Sequence, residues 1–330
     1  MTAEHHSNTS GTKPYLAILG PTCSGKSSVA LQLAHALNGE IISCDSMQIY
    51  KGMTIGTAKP TPQERRAVPH HLLDCLPIHQ PYDVNRFTQQ ATLAIHDIHA
   101  RGKLPILVGG TGLYARALIY GYKLQPSDHQ LFTSLSSEFA ATGGPERLLK
   151  ELLTAFPDAP DAVRANNRRL IRTLEIHRLG GVPSFARDTA KVPAPSAAQF
   201  VILPDPASHR LKIDRRTAAM LATGWIEEVQ ALLTQGLLQT PTARQALGYA
   251  DIARFLQGEP TPQARADLHQ HLVARTWQYA RRQRTWFRHQ HSGAVQLPLR
   301  PNVSARRIAD AILSTIRRGY PQLINSTSGQ

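Results

Sequence analysis

Leu16-Ala-Ile-Leu-Gly-Pro-Thr-Cys-Ser-Gly-Lys-Ser27 joins an apolar run to a glycine-framed turn, and Val29-Ala-Leu-Gln-Leu-Ala-His-Ala-Leu37 continues it as a helix-like segment. Residues Gly20 to Ser27 fit the phosphate-loop pattern G-x-x-x-x-G-K-[ST]. Each part has a physical reason. Glycine lets the backbone approach an anion and turn its N–H groups into a concave nest. The helix that follows sets its positive end behind the same anion. Lys26 supplies a full charge, and the Ser27 hydroxyl can hold a magnesium ion bridging phosphate oxygens. The loop by itself does not say which phosphate compound it holds.

The chain has 330 residues, enough for one large or two modest domains. No apolar run approaches the ~20 residues of a membrane span, so no membrane association is expected. Met1 to Lys13 is polar and reads as a disordered tail, not a signal peptide. Cys23, Cys44 and Cys75 form neither an even disulfide framework nor a set with metal-ligand spacing, which points to a reducing, cytoplasmic setting. Lys and Arg total 37 against 23 Asp and Glu, a net charge of +14 that favours a polyanionic partner such as nucleic acid.

Working outward from the loop, Tyr15 to Leu19 is the first expected strand and Gly39 to Cys44 the second. The helix between them makes a βαβ unit, hence an α/β fold with a parallel sheet flanked by helices. The second strand runs into Asp45-Ser-Met-Gln-Ile-Tyr50. A third, Leu104 to Val108, follows an amphipathic run over Phe87 to His99 and ends in Gly109-Gly-Thr-Gly-Leu-Tyr114. All three polar turns then lie at the carboxyl ends of parallel strands, the ligand-binding edge of open α/β sheets. The phosphate loop, Asp45 and Thr111 should therefore share one cleft. Asp45 also suits a turn and Thr111 a helix N-cap. Between Tyr50 and Phe87 the density of Pro and Gly, with Ile55-Gly-Thr-Ala-Lys-Pro60 and His70-His-Leu-Leu-Asp74, predicts loop.

Residues 123–197 lose the strand signal and read as a helical insertion, bounded by a return to strand at Phe200 to Leu203. The core is then 14–122 with 198–330. The best helix of the insertion is Ala162 to Leu179, with Val163, Leu170, Leu174 and His177 on one face. Arg164, Arg168 and Arg172, four apart, form a stripe on the other, with Glu175 too isolated to neutralise it. That stripe is either a solvated face or a row of phosphate contacts. The C-terminal region is helical and basic. Leu211 to Leu233 carries Lys212, Arg215 and Arg216, and Arg244 follows in Arg244-Gln-Ala-Leu-Gly-Tyr-Ala250. Arg275 to Arg288 holds five arginines, four aromatics and no acid in 14 residues. Interleaved Arg and aromatic side chains suit unstacked RNA bases, although Trp286 and Phe287 equally suit a core.

Six motifs now stand in order: the phosphate loop, Asp45-Ser-Met-Gln-Ile-Tyr50, Ile55-Gly-Thr-Ala-Lys-Pro60, His70-His-Leu-Leu-Asp74, Gly109-Gly-Thr-Gly-Leu-Tyr114 and Arg282-Gln-Arg-Thr-Trp-Phe-Arg288. In this order they resemble the tRNA dimethylallyltransferases (tRNA isopentenyltransferases) of bacterial type, from about Pro14 to Arg288. The resemblance implies a P-loop-kinase-like core with an inserted helical domain that grips the anticodon stem. It implies transfer of a dimethylallyl group from dimethylallyl diphosphate to N6 of adenosine 37, next to the anticodon, with release of diphosphate. A monomer with Mg2+ as cofactor is expected. By the same resemblance Gly20, Pro21, Thr22, Cys23, Ser24, Gly25, Lys26 and Ser27 hold the diphosphate, Ser27 with Mg2+, and Lys212 and Arg216 lie beside it. Asp45 is the general base and Thr111 the hydroxyl that orients it or the amine. Ser46, Met47 and Gln48 line the adenosine pocket. Arg168, Arg169, Leu170, Ile171, Arg172, Arg244, Arg282 and Gln283 contact tRNA. The chain departs from the family at Asn166-Asn-Arg-Arg169, where Asn-x-Gln-Arg is usual, so Arg168 replaces a glutamine contact. Two other uses of the loop fit less well. A small-molecule kinase leaves the arginines unexplained, and a GTPase-like module requires a base-reading Asn/Thr-Lys-x-Asp element absent from the chain.

Overall fold

The computed structural model describes residues 14–121, 125–183, 197–291 and 293–325. The expected tail, 1–13, lies outside them. The chain divides into two compact units, Met1–Gly121 with Ala194–Gln330, and Tyr122–Pro193.

The first unit is built on a six-stranded sheet of β1 (Tyr15–Leu19), β2 (Gly39–Cys44), β3 (His70–His71), β4 (Leu104–Gly109), β5 (Ala197–Leu203) and β6 (Val295–Pro298), in the order β3-β2-β4-β1-β5-β6. Every pairing is parallel. Parallel strands need both faces covered, so they read as continuous apolar runs. β1 shows how: Tyr15, Ala17 and Leu19 enter one apolar cluster with Ile42, Leu107 and Val201. Leu16 and Ile18 enter the other with Ile41, Ile106, Phe200 and Ile202. The period-two alternation of a strand sends successive residues to opposite faces.

The second face is covered by α1 (Lys26–Ala36), whose Val29, Ala30 and Leu33 are buried there. The first face receives α3 (Val84–Ala100) and α4 (Gly112–Ile119). Between β2 and β3 lies α2 (Pro62–Ala67), which opens on a capping box: Thr61 accepts from the Glu64 N–H, and Glu64 accepts from the Thr61 N–H. The stretch expected as loop thus contains a short helix and a two-residue strand. Its two C-terminal motifs meet: the buried Lys59 ammonium donates to Asp74 and Arg65 takes the other carboxylate oxygen.

Among the described residues the second unit holds four helices, α5 (His129–Ala140), α6 (Gly144–Ala155), α7 (Asp161–Arg164) and α8 (Asn167–Arg178). Leu135, Leu148, Leu152, Leu170, Ile171 and Leu174 form its core. The single helix expected over Ala162 to Leu179 is broken, because Asn166 caps α8 by accepting from the Arg169 N–H at 3.0 Å. Arg164 and Arg172 therefore do not share one helix. Each has an acid partner: Arg164 pairs with Asp161 and Arg172 with Glu175, both across i,i+3. Glu175, expected to be isolated, is buried and also accepts from the Asp128 N–H at 2.7 Å.

After β5, α9 (Pro206–Ala222) and α10 (Trp225–Leu233) give the stretch Leu211 to Leu233 its expected helical character, with a break at Gly224. Then come α11 (Tyr249–Phe255) and the 29-residue α12 (Pro262–Gln290), capped by Thr261. Beyond β6, α13 (Ala305–Gly319) lays Ile308, Ile312 and Ile316 into the cluster under α1, and α14 (Gln322–Asn325) follows. Among the described residues no helix is long and apolar enough to cross a membrane.

Candidate active site

The carboxyl ends of β1, β2 and β4 face one edge of the sheet, and a cleft of about 330 Å³ opens there. Its walls include Thr22 to Ser27 of the phosphate loop, Asp45 and Gln48 after β2, Gly109 at the end of β4, and Lys212 and Arg216 one helical turn apart on α9. Residues from four separate stretches thus converge because parallel strands deliver their ends to the same side.

The loop is curled tightly. Gly25, at φ 86° just before α1, and Cys23, at φ 60°, both occupy the left-handed region. Gly25 takes it freely, whereas for Cys23 it costs about 1 kcal/mol. Lys26 reaches back across the curl and donates to the Pro21 carbonyl at 3.2 Å. Burial pushes its pKa down to about 8, against the opposing pull of the Asp45 carboxylate and with a smaller push from Arg216. Lys26 therefore carries its charge at neutral pH and loses it as pH rises through about 8. A bound polyanion favours the charged form, so above that pH binding must take up a proton. The ratio of the wild-type affinity for inorganic pyrophosphate to that of Lys26→Arg should be flat below neutrality and fall by up to ~10-fold per pH unit above pH 8, the ligand's own titration cancelling in the ratio. Calorimetric titration of the wild type against Lys26→Arg, in which this bend is absent, checks it.

Thr22 is held at all three polar atoms. Its N–H donates to Gln283 Oε1 at 2.8 Å, its carbonyl meets His209 Nε2 at 2.7 Å, and its hydroxyl accepts from Arg216 at 2.6 Å. His209 is buried, and burial lowers its pKa, so it is the neutral ring that donates to the carbonyl.

Asp45 makes an Asx turn: its Oδ1 accepts from the N–H groups of Met47 and Gln48 at 2.9 and 3.3 Å. The turn reading and the cleft position are thus both real, since Oδ2 has no part in these bonds. Thr111 occupies the N-cap position of α4 but does not cap it. Its hydroxyl instead accepts from the Ser46 N–H at 3.1 Å, tying the turn after β4 to the turn after β2. Gln48 is fully engaged, donating to the carbonyls of Thr57 and Ala58 and accepting from Ser43. It shapes the pocket wall from the side and has no spare amide for a ligand.

The residues expected to meet RNA divide. Arg169, Arg244 and Arg282 are exposed, Arg282 lying over the Tyr279 ring. Leu170 and Ile171 are core residues of the second unit, so their side chains pack rather than read RNA. Phe287 is fully buried, while Trp286 is 36% exposed and lines a groove of about 610 Å³ along α12 with Gln278, Arg281, Arg282 and His289. Gln283 is buried with both ends of its amide used, so it is not on the exposed face of α12.

Two residues of the site went unread in the sequence. His209 carries no local signal. Glu228 on α10 accepts from the N–H groups of Thr54, Ile55 and Gly56 and from the Tyr249 hydroxyl, fixing the loop that in turn holds Gln48.

For a metal, no group of three His, Cys, Asp or Glu among the described residues could form a cage. Magnesium needs none, since it keeps its waters and binds through one or two protein ligands plus substrate phosphates. Ser27 lines the cleft, and the Ser24 hydroxyl is buried in the loop without a hydrogen-bond partner. An orphaned hydroxyl inside a cationic loop fits a phosphate–magnesium group.

The family model described as IPP transferase matches residues 48–290. The tRNA dimethylallyltransferase of Salinispora arenicola is 42% identical over 278 residues, covering 83% of this chain and 79% of that protein. Among solved structures, the full-length tRNA isopentenylpyrophosphate transferase of Bacillus halodurans is 32% identical with a TM-score of 0.65, covering 96% of this chain and 99% of that one. A eukaryotic dimethylallyltransferase acting on tRNA is 28% identical with a TM-score of 0.74, covering 92% and 80%. The family model spans well over half of the chain and the Salinispora relative is 42% identical, and the chain belongs to the IPP transferase family.

Proposed function

We propose that this chain transfers a dimethylallyl group from dimethylallyl diphosphate to N6 of adenosine 37 in tRNA, releasing diphosphate. The observation that carries this reading is the meeting of the phosphate loop, the Asp45 turn and the Lys212–Arg216 pair on one cleft. A P-loop kinase shares much of this set, but it leaves Arg281, Arg282 and Trp286 in the groove along α12 without a role. A transferase onto a weak nucleophile needs the anion site and a carboxylate together.

The division of labour follows from charge. As the allylic C–O bond breaks, negative charge grows on the diphosphate. Lys26, Lys212, Arg216 and the loop N–H groups meet it with preorganised positive charge. Ser27 would hold magnesium, which would supply further charge neutralisation for the leaving group. The exocyclic amine of adenine is a poor nucleophile because its lone pair is delocalised into the ring. It needs positioning and a base to take its proton as the new C–N bond forms. Asp45 takes that proton through Oδ2 while Oδ1 stays in the turn. The Thr111 hydroxyl keeps its own proton to donate, since it only accepts from Ser46. Position 37 is stacked in the anticodon loop, so the base must leave its stack to reach a cleft of this size. Arg168 and Arg169 of α8, with Arg244 and Arg282, supply backbone contacts to the RNA.

The test is a pyrophosphate-release assay. Release should require dimethylallyl diphosphate, magnesium and an unmodified tRNA with adenosine at position 37 together, and replacing that adenosine by guanosine should abolish it. Phosphoryl transfer from ATP to an acceptor, with no release from dimethylallyl diphosphate, would replace this reading by the kinase one.

A further inference from the structure

The geometry points to Gln283 as a positioning residue that sets the distance between the diphosphate loop and the Asp45 turn, rather than as a contact to RNA. This rests on the function proposed above. Gln283 lies on the inward stripe of α12 with Thr276, Ala280 and Phe287, all buried at spacings of three or four. It is 8% exposed. A polar side chain in such a stripe is costly unless its groups are bonded. Both are, and both to main chain: Oε1 accepts from the Thr22 N–H at 2.8 Å and Nε2 donates to the Gly110 carbonyl at 2.8 Å. Because one partner can only donate and the other can only accept, the amide has one orientation.

The two partners belong to the two halves of the reaction. Thr22 is in the loop that takes the leaving group. Gly110 precedes Thr111, whose hydroxyl accepts from the N–H of Ser46, next to the base Asp45. One side chain therefore spans from the site of bond breaking to the site of proton removal. The fit is close: a Cβ added at Gly110 would lie 2.6 Å from Gln283 Nε2, so a side chain there would shift this amide. The exposed face of the same helix carries Arg282, one residue away, so RNA held there bears on the rod that holds the loop.

The consequence is a rate effect without an affinity effect, because misplacement of reacting groups by about 1 Å costs ~10²-fold. Gln283→Met keeps the length and volume and removes both bonds. Steady-state kinetics should show kcat lower by ~10²-fold, KM for tRNA unchanged within ~3-fold, and inorganic pyrophosphate still bound. If Gln283→Met fails to fold by circular dichroism, Gln283→Glu carries the test: it keeps the acceptor for Thr22 and loses the donor to Gly110, and its kcat should also fall at unchanged KM. A raised KM for tRNA with wild-type kcat at saturation would overturn the proposal in favour of an RNA contact. Wild-type values for both would reduce Gln283 to packing. A wild-type protein that transfers nothing would overturn the function reading as well, so the two failures are told apart by the wild-type lane alone.

Discussion

Asp45→Asn should slow dimethylallyl transfer by ~10²–10⁴ while leaving tRNA affinity and thermal stability near wild type. The choice of asparagine follows from the structure. Asp45 has two jobs: Oδ1 closes an Asx turn onto Met47 and Gln48, and the rest of the carboxylate faces the cleft. Alanine would remove both, and its effect would mix turn loosening with loss of the base. Asparagine keeps an oxygen for the turn and abolishes the proton acceptor. Single-turnover transfer measured beside a tRNA binding isotherm separates the two. If Asp45→Asn turns over like the wild type, the base is some other group and Asp45 is only a turn residue.

Lys26→Met should be nearly as damaging, but by a different signature. Lys26 closes the curl of the loop on Pro21 and brings its charge to the cleft wall. A bond to a charged group is worth ~1.5–3 kcal/mol, so pyrophosphate affinity should fall by ~10–100-fold. Charge that grows in the transition state is lost in addition, which should lower transfer by ~10²–10³ beyond the binding defect. Below neutrality, where Lys26 stays charged without the pull of Asp45, Asp45→Asn spares pyrophosphate binding and Lys26→Met does not. Equal pyrophosphate affinity in Lys26→Met and wild type would mean that the anion is held by the α9 pair, Lys212 and Arg216, without the loop.

What the sequence made legible is what local chemistry determines. β1 and β2 were readable to the residue, since central parallel strands are buried on both faces and appear as unbroken apolar runs. The convergence of the phosphate loop with Asp45 followed from strand direction alone. β6 was not read: it is a four-residue edge strand, half exposed and ended by Pro298, and carries little apolar signal. The break before α8 was present in the chain as Asn166, a strong N-cap residue, but the arginine spacing across it looked like one helix.

Charges were poorly legible, because partners one helical turn away and main-chain groups far off in sequence both decide them. Glu175 looked isolated, yet the fold brings it the Asp128 N–H from 47 positions away as well as Arg172. Gln283 sat among arginines and was grouped with them. The inward spacing of Thr276, Ala280 and Phe287 was in the sequence, but what their stripe faces, two glycine-rich turns more than 170 residues upstream, was not. His209 and Glu228 act on main-chain groups, and a main-chain partner leaves no residue type to search for.

The measurement that bears most directly on the central claim is mass spectrometry of nucleosides from an unmodified tRNA bearing adenosine 37, after incubation with the protein, magnesium and dimethylallyl diphosphate. The account predicts a gain of one dimethylallyl group on adenosine at that position alone, matched by one pyrophosphate released. No gain from a folded protein that still binds the tRNA, or a gain on a different nucleoside, would contradict it.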